Sequence, residues 1–541
     1  MPRPAAADPL PTGMSPADEP VPPGAADPQP PRLAAAALTG GGRVAIGALS
    51  ALWVTPFALA QLGAARFGLW ALAGGLLGLL RLADLGLGRA LSRRVAQVAG
   101  TAGADGAGKA ASAMATARGL ALLTGAGGIA LVALCLPVLT DPRLGIPTDL
   151  AREAGGMLLG TAVVAALEGF FAPGPAALEG LGRLERVNLI DTVVQRLLSP
   201  WLVLPVLWAG GGLMGLVLKN AVMALLAGFW TQRELKRADP RLAAARPVLS
   251  SAGAGELLRF GRHAQAVNLA SALVDPVAKA LLGAASGLGA VAAYELAARV
   301  AGQLGAACMA AAAGLFPAAA RLEGIAAQPD RRQALLDLHA RARRWMDRLV
   351  LSGWSLVAVL APDFCRLWLG GELAPAVARA LQILSPGWML ALIALPAFLI
   401  TQAAGTAARS TAAGLCTAAV SLGGAYLARP WGLAGVAAAV AAGLAAGGLW
   451  MLLSFAWEQD LGVLELLPDG RAVLAAATGA LAAGVLVAWG LAGWPILLLA
   501  GAVGTAAALA TLRLSGEMAD EDWALIGALG RRLLGRREAW S

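Results

Sequence analysis

The sequence predicts an all-α polytopic membrane protein of about 14 transmembrane helices, in two six-helix lobes plus two C-terminal helices, with both termini in the cytoplasm. Three observations predict it. Apolar stretches near the roughly 20 residues needed to cross a bilayer recur along the chain. Arginine falls in almost every second gap between them, as expected when Lys and Arg are retained on the cytoplasmic side during insertion. Of the 541 residues, 58% are hydrophobic and only 14% charged, with mean hydropathy +0.69, which excludes a large water-soluble core.

The elements follow in order. Residues 1–41 read as a disordered cytoplasmic leader: the first 33 residues hold 11 of the 31 prolines and contain no apolar core of signal-peptide length. The expected spans of the N-terminal lobe (42–230) are 42–62, 68–88, 118–140, 154–173, 189–210 and 212–230. A basic cytoplasmic linker, 231–262, leads to the C-terminal lobe (263–457), with spans 263–284, 292–316, 347–367, 380–402, 408–428 and 432–457. Two extra helices, 471–490 and 493–513, occupy the segment 458–513. In the tail, 514–541, Trp523, Leu525, Ile526, Leu529, Leu533 and Leu534 oppose Arg531, Arg532, Arg536 and Arg537 at helical spacing, which predicts an amphipathic helix on the inner leaflet.

The basic gaps are Arg89–Arg118, Arg183–Arg186, Arg233–Arg262, Arg321–Arg348 and the tail from Arg513. Between them, Arg66 stands alone, Arg143 and Arg152 sit among Asp141, Asp149 and Glu153, and the turns near Gly211, Gly287 and Gly493 carry no Lys or Arg. This dispersal accounts for the net charge of +9 without a nucleic-acid partner, since no basic patch with interleaved aromatics exists. Cys135, Cys308, Cys365 and Cys416 are scattered singly, with no metal or disulfide spacing, and read as packing residues. His263 beside Arg262 and His339 among basic residues read as surface groups. The largest external gap, Pro362–Arg379, is too short for a catalytic domain, so no enzyme activity is expected. Glycine, 69 residues in all, serves close helix packing, as on the face from Gly435 to Gly448. Leu62-Gly-Ala-Ala65 recurs as Leu282-Gly-Ala-Ala285, a hint of parallel six-helix repeats.

Ionisable groups inside spans are costly and face a cavity or a partner. At a rise of about 1.5 Å per residue, Arg81, Lys219, Asp275 and Arg299 lie roughly 10 Å or more inside their spans. Asp84, Glu168, Lys279 and Glu295 are nearer an interface, Asp191 is interfacial and Arg196 intermediate. Spacing places Arg81 with Asp84, Asp275 with Lys279 and Glu295 with Arg299 on shared helix faces. One reading is mutual neutralisation in a structural role. The other sets Arg81, Arg196, Lys219, Lys279 and Arg299 around a cavity that attracts an anionic headgroup, with Asp84, Glu168, Asp275 and Glu295 as coupling or gating groups for protons or sodium. Pro276 strengthens the second reading for Asp275, because a proline inside a span frees backbone carbonyls.

The stretches LGAARFGLWALAGG (62–75) and ADLGLGRALSRRVA (83–96) resemble the first two spans of bacterial polysaccharide flippases of the O-antigen type, in the multidrug/oligosaccharidyl-lipid/polysaccharide exporter superfamily. ALEGLGRLERVN (177–188), AAYELAARV (292–300), LFPAAARL (315–322), PDFCRLWLG (362–370) and RPWGLAGVAAA (429–439) extend the resemblance over roughly residues 40–460. It implies a multi-pass protein of the bacterial inner membrane that flips undecaprenyl-diphosphate-linked oligosaccharide for surface polysaccharide synthesis. Its partners would be that lipid, the membrane lipids and enzymes of polysaccharide biosynthesis, with no cofactor. By motif, Arg81, Asp84 and Arg89 belong to the second-span signature and Glu295 and Arg299 to the eighth-span signature. The proline-rich leader and the presence of only four lysines depart from the family pattern. A multidrug-type antiporter and a peptidoglycan lipid-precursor flippase remain the alternatives.

Overall fold

A computed structural model describes the backbone of residues 30–82, 87–99, 104–312, 314–325, 328–404, 407–489 and 493–515; among these, the regular structure is helical throughout. Most of the expected leader, and the amphipathic tail from 516 onward, lie outside the described residues. In the first half, α1 (Pro30–Leu82), α2 (Leu87–Ala99), α3 (Ala104–Leu139), α4 (Ala151–Phe171), α5 (Pro173–Gly180) and α6 (Leu184–Ile190) are followed by a π-helical stretch, Asp191–Leu198. The short α7 (Ser199–Trp201) and α8 (Val203–Trp208) lead to α9 (Gly212–Ala238) and α10 (Pro240–Ala244). In the second half come α11 (Ser251–Ala311), α12 (Leu315–Ile325), α13 (Gln328–Leu369), α14 (Leu373–Ile393), α15 (Leu395–Ala403), α16 (Ala407–Ala428), α17 (Gly432–Gln459), α18 (Gly470–Ala488) and α19 (Trp494–Leu514).

Eleven described stretches are long and apolar enough to cross a bilayer, and Leu49–Leu80, Ala272–Leu322 and Ala408–Gln459 each cover two expected spans. Glycine breaks the first two. Gly63 (φ 72°, ψ 166°) interrupts α1 and Gly287 (φ 77°, ψ 176°) interrupts α11, in backbone conformations that L side chains rarely adopt. The chain goes out and back at Gly63. Ser50, before the break, bonds the Arg196 carbonyl; Arg66, just after it, pairs with Glu153; and Leu80, farther on, lines a cleft with Ala121, Gly125 and Gly169. The structural equivalent of Gly63 is therefore Gly287, one helical turn beyond the Gly283 that the tetrapeptide match aligned with it. In the corrected register Trp70 matches Tyr294, Leu72 matches Leu296 and Ala73 matches Ala297.

Helices α1, α3, α4 and α9 pack together, as do α11, α13, α14, α16 and α17, and α1 against α11 joins the two groups. Helices α18 and α19 pair with each other and lie on α13. The expected gap at Pro362–Arg379 is mostly helical: α13 continues to Leu369 and α14 starts at Leu373. Small residues set the α16–α17 distance. A Cβ on Gly443 would stand 2.7 Å from the Thr417 carbonyl oxygen and 2.8 Å from the Ser421 nitrogen. Gly443→Ala is therefore expected to lower stability by about 1–3 kcal/mol. Gly423→Ala, with nothing within 4 Å, should not; thermal unfolding of both variants in detergent checks this.

The linker after α9 is pinned. Asp239 caps α10 by accepting from the Arg241 (2.8 Å) and Leu242 (3.2 Å) amides, with Pro240 at the first helical position. Beyond α10, the Val248 amide donates to the Ala115 carbonyl on α3 (3.0 Å), and the missing Cβ of Gly119 lets the Val248 backbone lie close. Arg118 donates to the carbonyls of Ala243 (3.2 Å) and Ala245 (2.5 Å) and to Gln232 Oε1 (2.8 Å). Hydrogen bonds from a charged donor are worth about 1.5–3 kcal/mol each. Arg118→Ala should raise tryptic cleavage at Arg241 and Arg246 by about tenfold or more; an unchanged cleavage rate would mean that the strap holds without it.

Candidate functional site: a polar chain across α11

Asp275 and Lys279 lie one turn apart before the Gly287 break, and Glu295 and Arg299 lie one turn apart after it. The break folds the two halves of α11 side by side and joins the pairs. Lys279 Nζ stands 2.5 Å from Asp275 Oδ2 and 2.6 Å from Glu295 Oε2, while Arg299 Nη2 donates to Glu295 Oε1 at 2.7 Å. The result is an alternating chain of two carboxylates and two cations with no net charge. Its centre is dry and its ends are open: side-chain exposure is 5% at Lys279 and 15% at Glu295, against 47% at Asp275 and 30% at Arg299.

The surroundings belong to both helix groups. The Arg299 guanidinium lies over the Trp70 ring of α1, 5.8 Å from its centroid, and Phe67 meets Trp70 edge-on. Pro276 packs against Gly75 of α1, where a Cβ would stand 3.3 Å from it. Tyr294 is buried beside the chain. Trp368 donates its indole N–H to the Leu52 carbonyl (2.7 Å), a second link between the groups.

Arg196 and Lys219 occupy a different place, around the π-helical stretch. Backbone bonding from i to i+5 there brings residues five apart together, and Arg196 Nε approaches Asp191 Oδ2 at 3.5 Å. Pro200 has no N–H for the carbonyl four residues earlier, that of Arg196, and Ser50 Oγ donates to this oxygen instead (3.2 Å). Lys219, buried in α9, directs Nζ to the Ser199 carbonyl and hydroxyl, both at 3.0 Å. Glu168 is half-buried in the last turn of α4. Arg81 falls at the end of α1 with its side chain outside the described residues, as is Asp84 entirely.

The structure thus brings four of the expected residues together in one chain. Sequence spacing identifies both i, i+4 pairs but misses the link from Lys279 to Glu295, the Trp70 platform and the partners of Arg196 and Lys219. His339 differs from expectation. It is buried and lies tilted against Phe455, with ring centroids 4.4 Å apart, because His339, Arg343 and Asp347 recur every four residues on one face of α13. Arg343 on that face bonds Asp347 at 3.0 Å and the Leu466 carbonyl at 2.5 Å, so the apparent loop residue lies within a packed seam.

A model of the family described as "polysaccharide biosynthesis protein" matches residues 36–323, more than half of the chain, including every residue of the polar chain. The protein belongs to the polysaccharide biosynthesis protein family. Solved structures extend the likeness in fold. This polysaccharide biosynthesis protein is similar to the lipid II flippase MurJ in an inward closed conformation, at 11% identity and TM-score 0.68, over 89% of this chain and 97% of that one. It is also similar to a multidrug resistance MATE family transporter of the MOP superfamily in an inward-facing conformation, at 17% identity and TM-score 0.63, over 78% and 98%. A third similar structure is a MOP superfamily transporter from Pyrococcus furiosus described as having a binding pocket of reverse polarity, at 17% identity and TM-score 0.54, over 79% and 95%. A sequence comparison with curated proteins finds no match.

Proposed function

We propose that the protein is a flippase that moves undecaprenyl-diphosphate-linked oligosaccharide across the bacterial inner membrane by alternating access, for surface polysaccharide synthesis. The observation that carries this reading is the polar chain of α11 at the seam between the two helix groups. Lys279 and Arg299 already hold carboxylates at hydrogen-bond distance, and a diphosphate offers the same acceptor oxygens with more charge. An entering diphosphate would take Arg299 and Lys279 from Glu295 and Asp275. The released carboxylates would then be available to a proton or sodium ion, which links coupling to binding. Arg81 and Arg196 would extend the cationic path, Asp84 and Glu168 remain coupling candidates, and Lys219 would steady the bend at Ser199. An apolar cleft of about 860 Å³, lined by Leu338, Trp345, Leu349, Leu356, Leu509 and Leu512, supports a hydrocarbon-bearing substrate.

The balanced charge of the chain also favours a second reading. A small organic cation could bind Asp275 and Glu295, as in a multidrug antiporter. Thermal stabilisation of the purified protein separates the two. Undecaprenyl diphosphate should raise the unfolding temperature of the wild type and not that of Arg299→Ala; stabilisation by organic cations alone would overturn the flippase reading.

A further inference from the structure

Two contacts near one end of the seam between the helix groups are made by backbone alone. Gly68 of α1 lies directly on the Leu288 carbonyl of α11, with no room for a Cβ. Gly145 (φ 78°, ψ 15°), which ends the short 3-10 turn Pro142–Leu144, lies on the Gly283 carbonyl, and a Cβ there would also stand 3.3 Å from Gly287 Cα. Both contacts lie beside the breaks at Gly63 and Gly287, the end that the arginine distribution assigns to the outside. Together they bring the α11 turn against α1 and against the Pro142–Gly145 turn.

We propose that these glycine contacts are a latch that holds the external face shut, and that occupation of the Lys279–Arg299 end of the polar chain releases it. The second clause rests on the diphosphate reading above. Backbone-to-backbone contact suits a latch because no interdigitated side chain has to be withdrawn when the surfaces part. The connection to the polar chain is covalent and short. Leu288 and Gly283 lie on the turn joining the Asp275–Lys279 half of α11 to the Glu295–Arg299 half. Arg299 over Trp70 and Pro276 against Gly75 span the same seam deeper in the membrane. A ligand that pulls Arg299 away from Trp70 and Glu295 removes part of what keeps α11 against α1.

The test uses spin labels on cysteines at Arg143 and Ala285, both exposed and on opposite sides of the seam, with Cys135, Cys308, Cys365 and Cys416 replaced by serine. The full-length protein is measured in lipid nanodiscs by double electron–electron resonance. Without ligand, a short distance should dominate. Gly68→Val should shift the population to longer distances, while Gly74→Val, on the same helix with open space around it, should not. If Gly68→Val does not fold, Gly68→Ala, which adds only the Cβ, is read in the same way. A folded Gly68 variant with the wild-type distribution overturns the latch whatever the substrate. Undecaprenyl diphosphate should then lengthen the distance in the wild type but not in Arg299→Ala. No lengthening, with Gly68→Val still open, overturns release by diphosphate and leaves the latch standing.

Discussion

Lys279→Met is expected to destabilise the protein by about 3–5 kcal/mol, because it removes the central cation from a buried ion chain and leaves the carboxylates on either side without it. The size follows from the position of Lys279. It is nearly inaccessible and holds Asp275 on its own half of α11 and Glu295 on the other, so one substitution cuts the only ion-pair link described between the two halves. Glu295, the buried carboxylate, keeps only Arg299, whereas the half-exposed Asp275 loses its partner in the chain. Adding Asp275→Asn should recover part of the loss by restoring neutrality, a non-additivity expected of residues in contact. Unfolding of the two variants in detergent and in nanodiscs provides the measurement. A Lys279→Met protein as stable as wild type would show that the chain contributes nothing to cohesion.

On the proposed flippase reading, Arg299→Ala is expected to reduce surface polysaccharide about tenfold or more at unchanged protein levels, with lipid-linked intermediate accumulating. Arg299→Lys should restore only part of it. An ammonium keeps the charge but loses the planar fork that faces Glu295 and the flat surface that stacks over Trp70. Equal export by wild type, alanine and lysine variants would remove Arg299 from the transport path. Trp70→Leu should resemble the lysine variant, since it removes the platform and leaves the Glu295 pair.

Much of the fold is legible in the chain because two independent physical signals, apolar length and arginine placement, mark the same boundaries. The glycine turns are legible to within one helical turn. Leu62-Gly-Ala-Ala65 aligns with the wrong glycine because small residues recur too often to fix a register, whereas the backbone breaks at Gly63 and Gly287 fix it and set Trp70 against Tyr294. The two i, i+4 pairs of the candidate site follow from helical geometry. The Lys279–Glu295 bond does not, since it depends on how sharply the chain reverses at Gly287. The Arg196–Asp191 pair is invisible to α-helical spacing because the local backbone is π-helical. His339 carries the sequence signature of a loop, with Arg341, Arg343 and Arg344 nearby, but burial depends on Phe455, far along the chain.

The pinned linker constrains how the halves can move. Only Leu249 and Ser250 lie between the Val248 bond to Ala115 and the first residue of α11. Two residues give little length to spare, so a rotation between the halves would be taken up in their backbone torsions, at the foot of α11. With its foot held beside α3, the first arm of α11 works as a lever: a small tilt at Ser251 becomes a larger sideways sweep at Asp275 and Lys279, and larger still at the Gly287 turn.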